Sequence, residues 1–400
     1  MQDYPTTKSS LGSDWYKTTI AALLLICTSA CSGTSGFDDS QCNMAPFFDH
    51  LPVNQEAIES VIVLGQFNPP GDVAPRPQTG LRLHPDTITP VYAPGDIVIT
   101  EIERSTWLSS PNREGHSDYT IVFEIEGCRS ITGNLEHMDF LIPELENELS
   151  GARCSSYSTE SETIQSCQKS VNIRKTSGEI LGQAGGFLGA LDFDMYNRNH
   201  RNEFVNQGRL HDGFRHAICP QTLFAEPLRS VLLGKVGRGG VWRTAEPVCG
   251  TMEIDVAGTA QGLWVIDGRD VTLSGETHDL FFSLALDDIL PHKYSVLVTA
   301  HEMFMIDGIG AAVIGFEMEQ TGRINIKFSN IPNDGTIYCY IPATDSPMHH
   351  AIDNFSVFVA YNTDGKVTIE RKNHYPGGSP CLTEDPENWA FTSISLKLMR

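Results

Sequence analysis

Between residues 60 and 128 the chain repeatedly alternates apolar and polar residues with a period of two. "VYAPGDIVITEIE" (91–103) does so after a Pro-Gly turn, and "DYTIVFEIEGC" (118–128) does so again. "SVIVLGQF" (60–67) is rich in β-branched residues. Such runs put one side of a pleated strand in a core and the other in water. From about residue 271 the signal returns in "YSVLVTAH", "GAAVIGFEM", "TIYCYI", "FSVFVAY" and "AFTSISLKL". Two helices are predicted. One lies in "FLIPELENEL" and the other in "PQTLFAEPLRSVLLGKV" (220–236), where apolar residues recur at helical spacing. The expected fold class is mainly β, with few helices.

The chain has 400 residues, enough for two or three domains. Its formal net charge of −22 disfavours a phosphate backbone as partner, so no nucleic acid is expected.

Lys8 and Lys17 precede the apolar run "IAALLLIC", and "TSACSG" follows. A basic flank, a short apolar run and small residues describe an export signal. The run is shorter than the roughly 20 residues needed to cross a bilayer. Ser29-Ala30-Cys31 resembles a bacterial lipobox, in which Cys31 becomes the lipidated first residue. That resemblance implies a membrane lipid anchor, in the outer membrane where there are two. The alternative is simple cleavage after Ala30. Beyond the leader eight cysteines remain, an even number that suggests disulfides in an exported chain. Short loops favour Cys154–Cys167, Cys219–Cys249 and Cys339–Cys381. No C-x-x-C pair occurs, which argues against a thiolate zinc site.

Four pieces in order resemble the lysostaphin-type (LytM-like) zinc peptidases of bacterial cell walls. They are "PVYAPGDIVI", "DYTIVFEIEG", "GNLEHMDFLIPEL" and "GEILGQAGGFLGALDFDMYN". The resemblance implies a β-sandwich of the duplicated-hybrid-motif type over 59–197. A signal (1–30) and a tether (31–58) would precede it. A mixed segment (198–269) and a C-terminal β domain (270–400) would follow. It also implies a zinc ion held by H-x-x-x-D and by the second His of H-x-H, with further histidines acting on water. Here the H-x-H position reads Ala190-Leu191-Asp192. In "GLRLHPDTITPV" the four-residue spacing pairs Asp86 with Arg82, and His84 is out of register. His137 falls on the family's intervening histidine, and Ile97 stands where its strand-turn has Gly.

The resemblance therefore implies a degenerate domain with no cofactor, leaning away from an enzyme. Its cleft would be lined by Asp86, His137 and Asp192. It would bind cell-wall peptide or an envelope protein, or regulate a cell-wall hydrolase. The alternatives are a metallopeptidase with substituted ligands (His84, Asp86 and Asp192 on zinc, His137 catalytic) and a structural envelope protein. Taken alone, His137 reads as a surface or hydrogen-bonded loop histidine. Asp192 and Asp194 read as solvated or turn-bonding carboxylates.

Other motifs are weaker. "HEMFM" lacks the second histidine of H-E-x-x-H. His349 and His350 are adjacent, so on a strand they would face opposite ways. His200, His211 and His216, with Glu203 and Asp212, read as a polar loop. "GTAQG" has no nucleophilic serine.

Overall fold

The computed structural model describes residue 42 and residues 45–158, 162–274, 277–320, 322–374 and 378–400. The signal and Cys31 lie outside them. The chain is mainly β, as the alternation predicts.

A first antiparallel sheet contains eleven strands. They are β1 (Ile58–Ile62), β2 (Gly80–Leu83), β3 (Thr89–Tyr92), β4 (Ile97–Ser109), β5 (Ser117–Ile125), β6 (Cys128–Leu141), β7 (Arg153–Ser158), β8 (Thr163–Lys175), β9 (Ile180–Ala184), β10 (Ala190–Asn197) and β11 (Ala217–Ile218). The main path runs β1-β2-β10-β6-β5-β4-β8-β7. β9 pairs with both β3 and the end of β6. The alternating strands behave as their pattern requires: Ile97, Ile99, Ile102, Ile121, Phe123 and Ile125 are all buried.

This first body draws on chain outside 59–197. Phe48, Leu51 and Val53 are buried in its core, so the latter part of the expected tether is packed rather than extended. Phe224, Leu232 and Val236 join the same core. Phe224 meets the rings of Phe48 (5.2 Å) and Phe193 (6.0 Å).

The first predicted helix is α1 (Pro143–Glu148). α2 (Asp212–His216) is a single turn. The helix expected over 220–236 is divided into a 3₁₀ turn, Pro220–Leu223, and α3 (Leu228–Leu233). Pro227 is the reason: it has no N–H to donate and restricts the residue before it. A two-strand ribbon follows, β12 (Gly237–Arg238) with β13 (Val241–Trp242).

The second sheet comprises β14 (Gly262–Ile266), β15 (Phe281–Leu286), β16 (Tyr294–Thr299), β17 (Val313–Glu317), β18 (Ile337–Tyr340), β19 (Phe355–Tyr361), β20 (Val367–Asn373) and β21 (Leu396–Met399). Its order, β17-β16-β15-β14-β21-β20-β19-β18, is an up-and-down meander curled towards a barrel. The Ala343 N–H donates to the Gly315 carbonyl (2.8 Å) and draws the two ends together. The interior is filled by Trp264, Phe282, Phe304, Phe316, Phe328, Tyr340 and neighbouring aliphatics. The one-turn α4 (Pro380–Thr383) carries Cys381 onto Cys339.

All three locally expected disulfides form, and the fourth joins Cys42 to Cys128. Four such bonds place the chain in an oxidising, exported environment. No helix among the described residues is long and apolar enough to cross a membrane.

The two bodies share a third core. Leu64, Phe67, Val73 and Ala74 pack against Phe281, Ala285, Val296 and Val298 on the outside of the second sheet. The Ser283 hydroxyl donates to the Val73 carbonyl at 2.6 Å.

The Cys42–Cys128 bond closes a separation of 86 residues, so chain entropy assigns it a large share of stability. Replacing both with serine is expected to cost roughly 4 kcal/mol in urea unfolding. A loss below about 1 kcal/mol would show that the 45–57 segment is held by packing alone.

Candidate functional site

β10 lies between β2 and β6. Its Asp192 is level with Gly80 on one side and Glu136 on the other. Period two puts Asp192, Asp194 and Tyr196 on one face. Both carboxylates are buried, at 2% and 0% exposure, so neither is the solvated group expected from sequence. Gly80 makes the room: a Cβ there would sit 2.8 Å from Asp192 Oδ1.

A carboxylate removed from water needs cations or several donors. Asp192 Oδ2 has two cationic neighbours. Arg76 Nη2 donates to it at 2.6 Å, and His137 Nε2 lies 3.4 Å away. Arg76 Nε donates to Gln78 Oε1 at 2.7 Å, which fixes the plane of the guanidinium. The other ring nitrogen of His137, Nδ1, lies 2.8 Å from Asp118 Oδ2. The imidazole thus bridges two carboxylates. His137 is on strand β6 rather than in a loop, with a positive φ of 67° at a bulge in the β6 pairing. Its side chain is 20% exposed and that of Arg76 18%, so both reach the surface in part.

The charges settle accordingly. Burial disfavours the His137 imidazolium, but Asp192 and Asp118 outweigh it and hold its pKa well above the usual histidine range. Burial likewise disfavours the Asp192 anion. Arg76 and His137 reverse that and bring its pKa down to about 2. Asp194 goes the other way. Burial, then the charges of Glu136 and Asp192, push it well up, although the Thr79 N–H donates to its Oδ1 at 2.8 Å. Its Oδ2 meets no hydrogen-bond partner among the described residues. Glu136 is raised as well, chiefly by burial.

The expected cleft is therefore rearranged. His137 and Asp192 are brought together, whereas His84 and Asp86 fall in the exposed turn after β2. The strand beside Asp192 carries Gly80, with Arg82 level with Ala190. β2 ends at Leu83, so Asp86 lies beyond the strand that flanks Asp192. A zinc ion there would have to compete with the guanidinium for Asp192, with Arg82 and Ala190 beside it and Asp86 in the exposed turn. The donor set does not fit the metal. Among the described residues no three His, Cys, Asp or Glu side chains are placed to hold a metal ion.

Arg76, Asp118 and Glu136 were not singled out from the sequence, and Asp194 was read there as a solvated or turn-bonding carboxylate rather than the buried group it is. Carboxylates at 192, 194 and 136 inside otherwise apolar strands were the available signal. The glycine run after β9 is tied by Asp139, whose carboxylate accepts from Gly186 N (2.6 Å) and Phe187 N (3.1 Å). The polar 200–216 loop is organised by buried Asn202, which donates to the carbonyls of Phe214 and Ala217 at 2.9 Å. His301 caps a short turn by accepting from Met303 N at 3.1 Å.

The pKa of His137 is raised on folding, so its contribution to stability is complete below the unfolded value of about 6.5. It is lost as pH rises through the higher folded value. The expected outcome is a wild-type unfolding free energy that falls above neutrality, with a flatter profile for His137→Gln. Titration of the His137 ring followed by NMR gives the midpoint. A midpoint at or below about 6.5 contradicts the charge arrangement.

No family model matches the chain, and no curated protein matches it. One solved structure is similar in part: Helicobacter pylori Csd3 from the orthorhombic crystal, at 16% identity and a TM-score of 0.21. The match covers 38% of this chain and 32% of that one, so the chain spans about a third of its length. A superposition that loose assigns neither a family nor an activity.

Proposed function

We propose that this is an exported cell-envelope protein, lipid-anchored through Cys31. In this reading its first β body is a peptidase-like domain that binds without cutting, with a cell-wall peptide or a cell-wall hydrolase as its partner. The observation that carries the reading is the 2.6 Å contact between Arg76 Nη2 and Asp192 Oδ2. A guanidinium supplies positive charge and directed N–H donors, but no vacant coordination position and no acidified water. The resemblance in sequence order supplies the peptide as ligand class. The partly exposed cations Arg76 and His137 suit a peptide carboxylate.

The test combines metal content, turnover and binding on purified protein. Expected results are less than about a tenth of an equivalent of zinc, no cleavage of cell-wall peptides, and saturable retention of those peptides that weakens in His137→Gln. Stoichiometric zinc lost on Asp192→Ala, or cleavage by the wild type, would favour the metallopeptidase alternative and overturn this one. Absence of any retained peptide or hydrolase, with the fold intact, would sink the binding reading. Anchoring is checked separately: Cys31→Ala is expected to move the protein from the membrane to the soluble envelope fraction.

Arg76→Ala removes one partner of a buried pair and leaves Asp192 undercompensated. Such losses cost roughly 3–5 kcal/mol. We expect urea unfolding to show a drop of that order, and Arg76→Lys to recover only part of it, because an ammonium cannot hold Asp192 and Gln78 in one plane.

A further inference from the structure

In the second β body, Asp287 follows β15 and His349 lies in the connection between β18 and β19. Their side chains are fully buried, with His349 Nε2 at 2.8 Å from Asp287 Oδ2. The other oxygen, Oδ1, accepts the backbone N–H groups of Ile289 (2.9 Å) and Leu290 (2.5 Å). Burial alone would raise the Asp287 pKa, but these donors and His349 hold it below the ordinary carboxylate range. An ionised carboxylate only accepts, so in the neutral ring the proton sits on Nε2. Nδ1 then presents its lone pair, and Ser346 Oγ is 2.9 Å from it. The hydroxyl hydrogen of Ser346 therefore points at the imidazole. The Met348 N–H donates to the same oxygen (3.1 Å), which leaves one lone pair free.

Two further features show that the ring has a prepared place. A Cβ at Gly315 would lie 2.0 Å from His349 Nδ1, so only glycine lets the imidazole pass there. The Tyr294 ring meets it edge-on at 5.1 Å. Ser346 itself is only partly buried. The residues just before it, Ala343, Thr344 and Asp345, line a groove of about 540 Å³.

We propose that Ser346, His349 and Asp287 form a serine acyl-transfer site beside this groove, with the two ring nitrogens exchanging the roles they have in the usual triad. Ser346 Oγ attacks the carbonyl carbon of a carboxylic ester, and its proton passes to His349 Nδ1. The C–O bond to the alcohol breaks, and that proton leaves with the alkoxide. Water then attacks the acyl-serine and gives a proton to Nδ1. The proton returns to Oγ as the acid departs. Asp287 is a positioning residue that fixes the tautomer. The groove also carries Ile324, Ile341 and Leu382 beside Glu317, Glu319 and Asp345, and its one cation among the described residues, Arg323, is paired with Glu387 at 3.0 Å. That lining suits an uncharged or cationic ester with an apolar portion and repels anionic ones.

The probe is an uncharged alkyl fluorophosphonate, with p-nitrophenyl butyrate as the turnover substrate. Mass spectrometry of the intact, disulfide-bonded wild type is expected to show one adduct, mapped to Ser346. The adduct and ester turnover should both be absent in Ser346→Ala, a change at a partly exposed site that keeps the fold. The wild-type labelling rate is expected to rise with pH along a single imidazole ionisation. Asp287→Asn should lower and shift that profile, which a merely structural role would not do. No adduct on Ser346, or a labelling rate flat between pH 5 and about 9, overturns the proposal whatever the buried variants do to folding.

Discussion

One carboxylate sets the terms for the first β body. Asp192 is almost wholly out of water, on a strand flanked by two others, and its charge persists only because Arg76 and His137 face it. Several other arrangements follow. Asp118 is needed to turn the second nitrogen of His137, Gly80 to leave the volume, and Gln78 to hold the guanidinium flat. Asp194 and Glu136 are then too close to the same anion to ionise freely, and both are raised. Asp192 is thus held below the ordinary carboxylate range while Asp194 and Glu136 are pushed above it, by position alone.

Arg76 reaches this pocket from a loop that the second β body holds in place. Phe67, Val73 and Ala74 pack on the outer face of β15 and β16, and Ser283 ties Val73 by its carbonyl. The backbone of Arg76 is fixed at both ends, its N–H donating to Gln66 and its carbonyl accepting from Gly65, each at 3.0 Å. The position of the guanidinium therefore depends on contacts between the two bodies. Loosening that shared core would disturb the Asp192 ion pair without touching any residue of the pocket, which links the fold of one body to the electrostatics of the other.

Much of the architecture was legible because alternation is a local signal. Strands near 91–103, 118–125 and 355–361 fell where the pattern placed them, and three disulfides followed from loop length. The divided 220–236 helix was missed because apolar spacing was weighed above Pro227. The site was legible only in part. Asp192 and His137 could be singled out, but their partners come from 116 and 19 residues away, set by pairing of β2, β5, β6 and β10. Arg76 carries no motif and sits in a loop. The Ser346–His349–Asp287 arrangement was similarly invisible: a histidine pair drew attention to 349, but Asp287 is 62 residues distant.

Strand register explains why Asp86 attracted a role that the fold does not give it. The resemblance put it in the cleft although its four-residue partner is Arg82, yet β2 ends at Leu83 and the chain turns outward before Asp86. What lies against Asp192 is decided by Gly80 opposite it, and hence by residues 76–82. On the proposed reading, this places a single fixed cation where a peptidase would keep a metal. Such an exchange keeps the electrostatic cohesion of the strands, since a buried anion needs positive charge from any source. It removes Lewis acidity, since nitrogen-bound protons cannot bind and ionise a water molecule as zinc does.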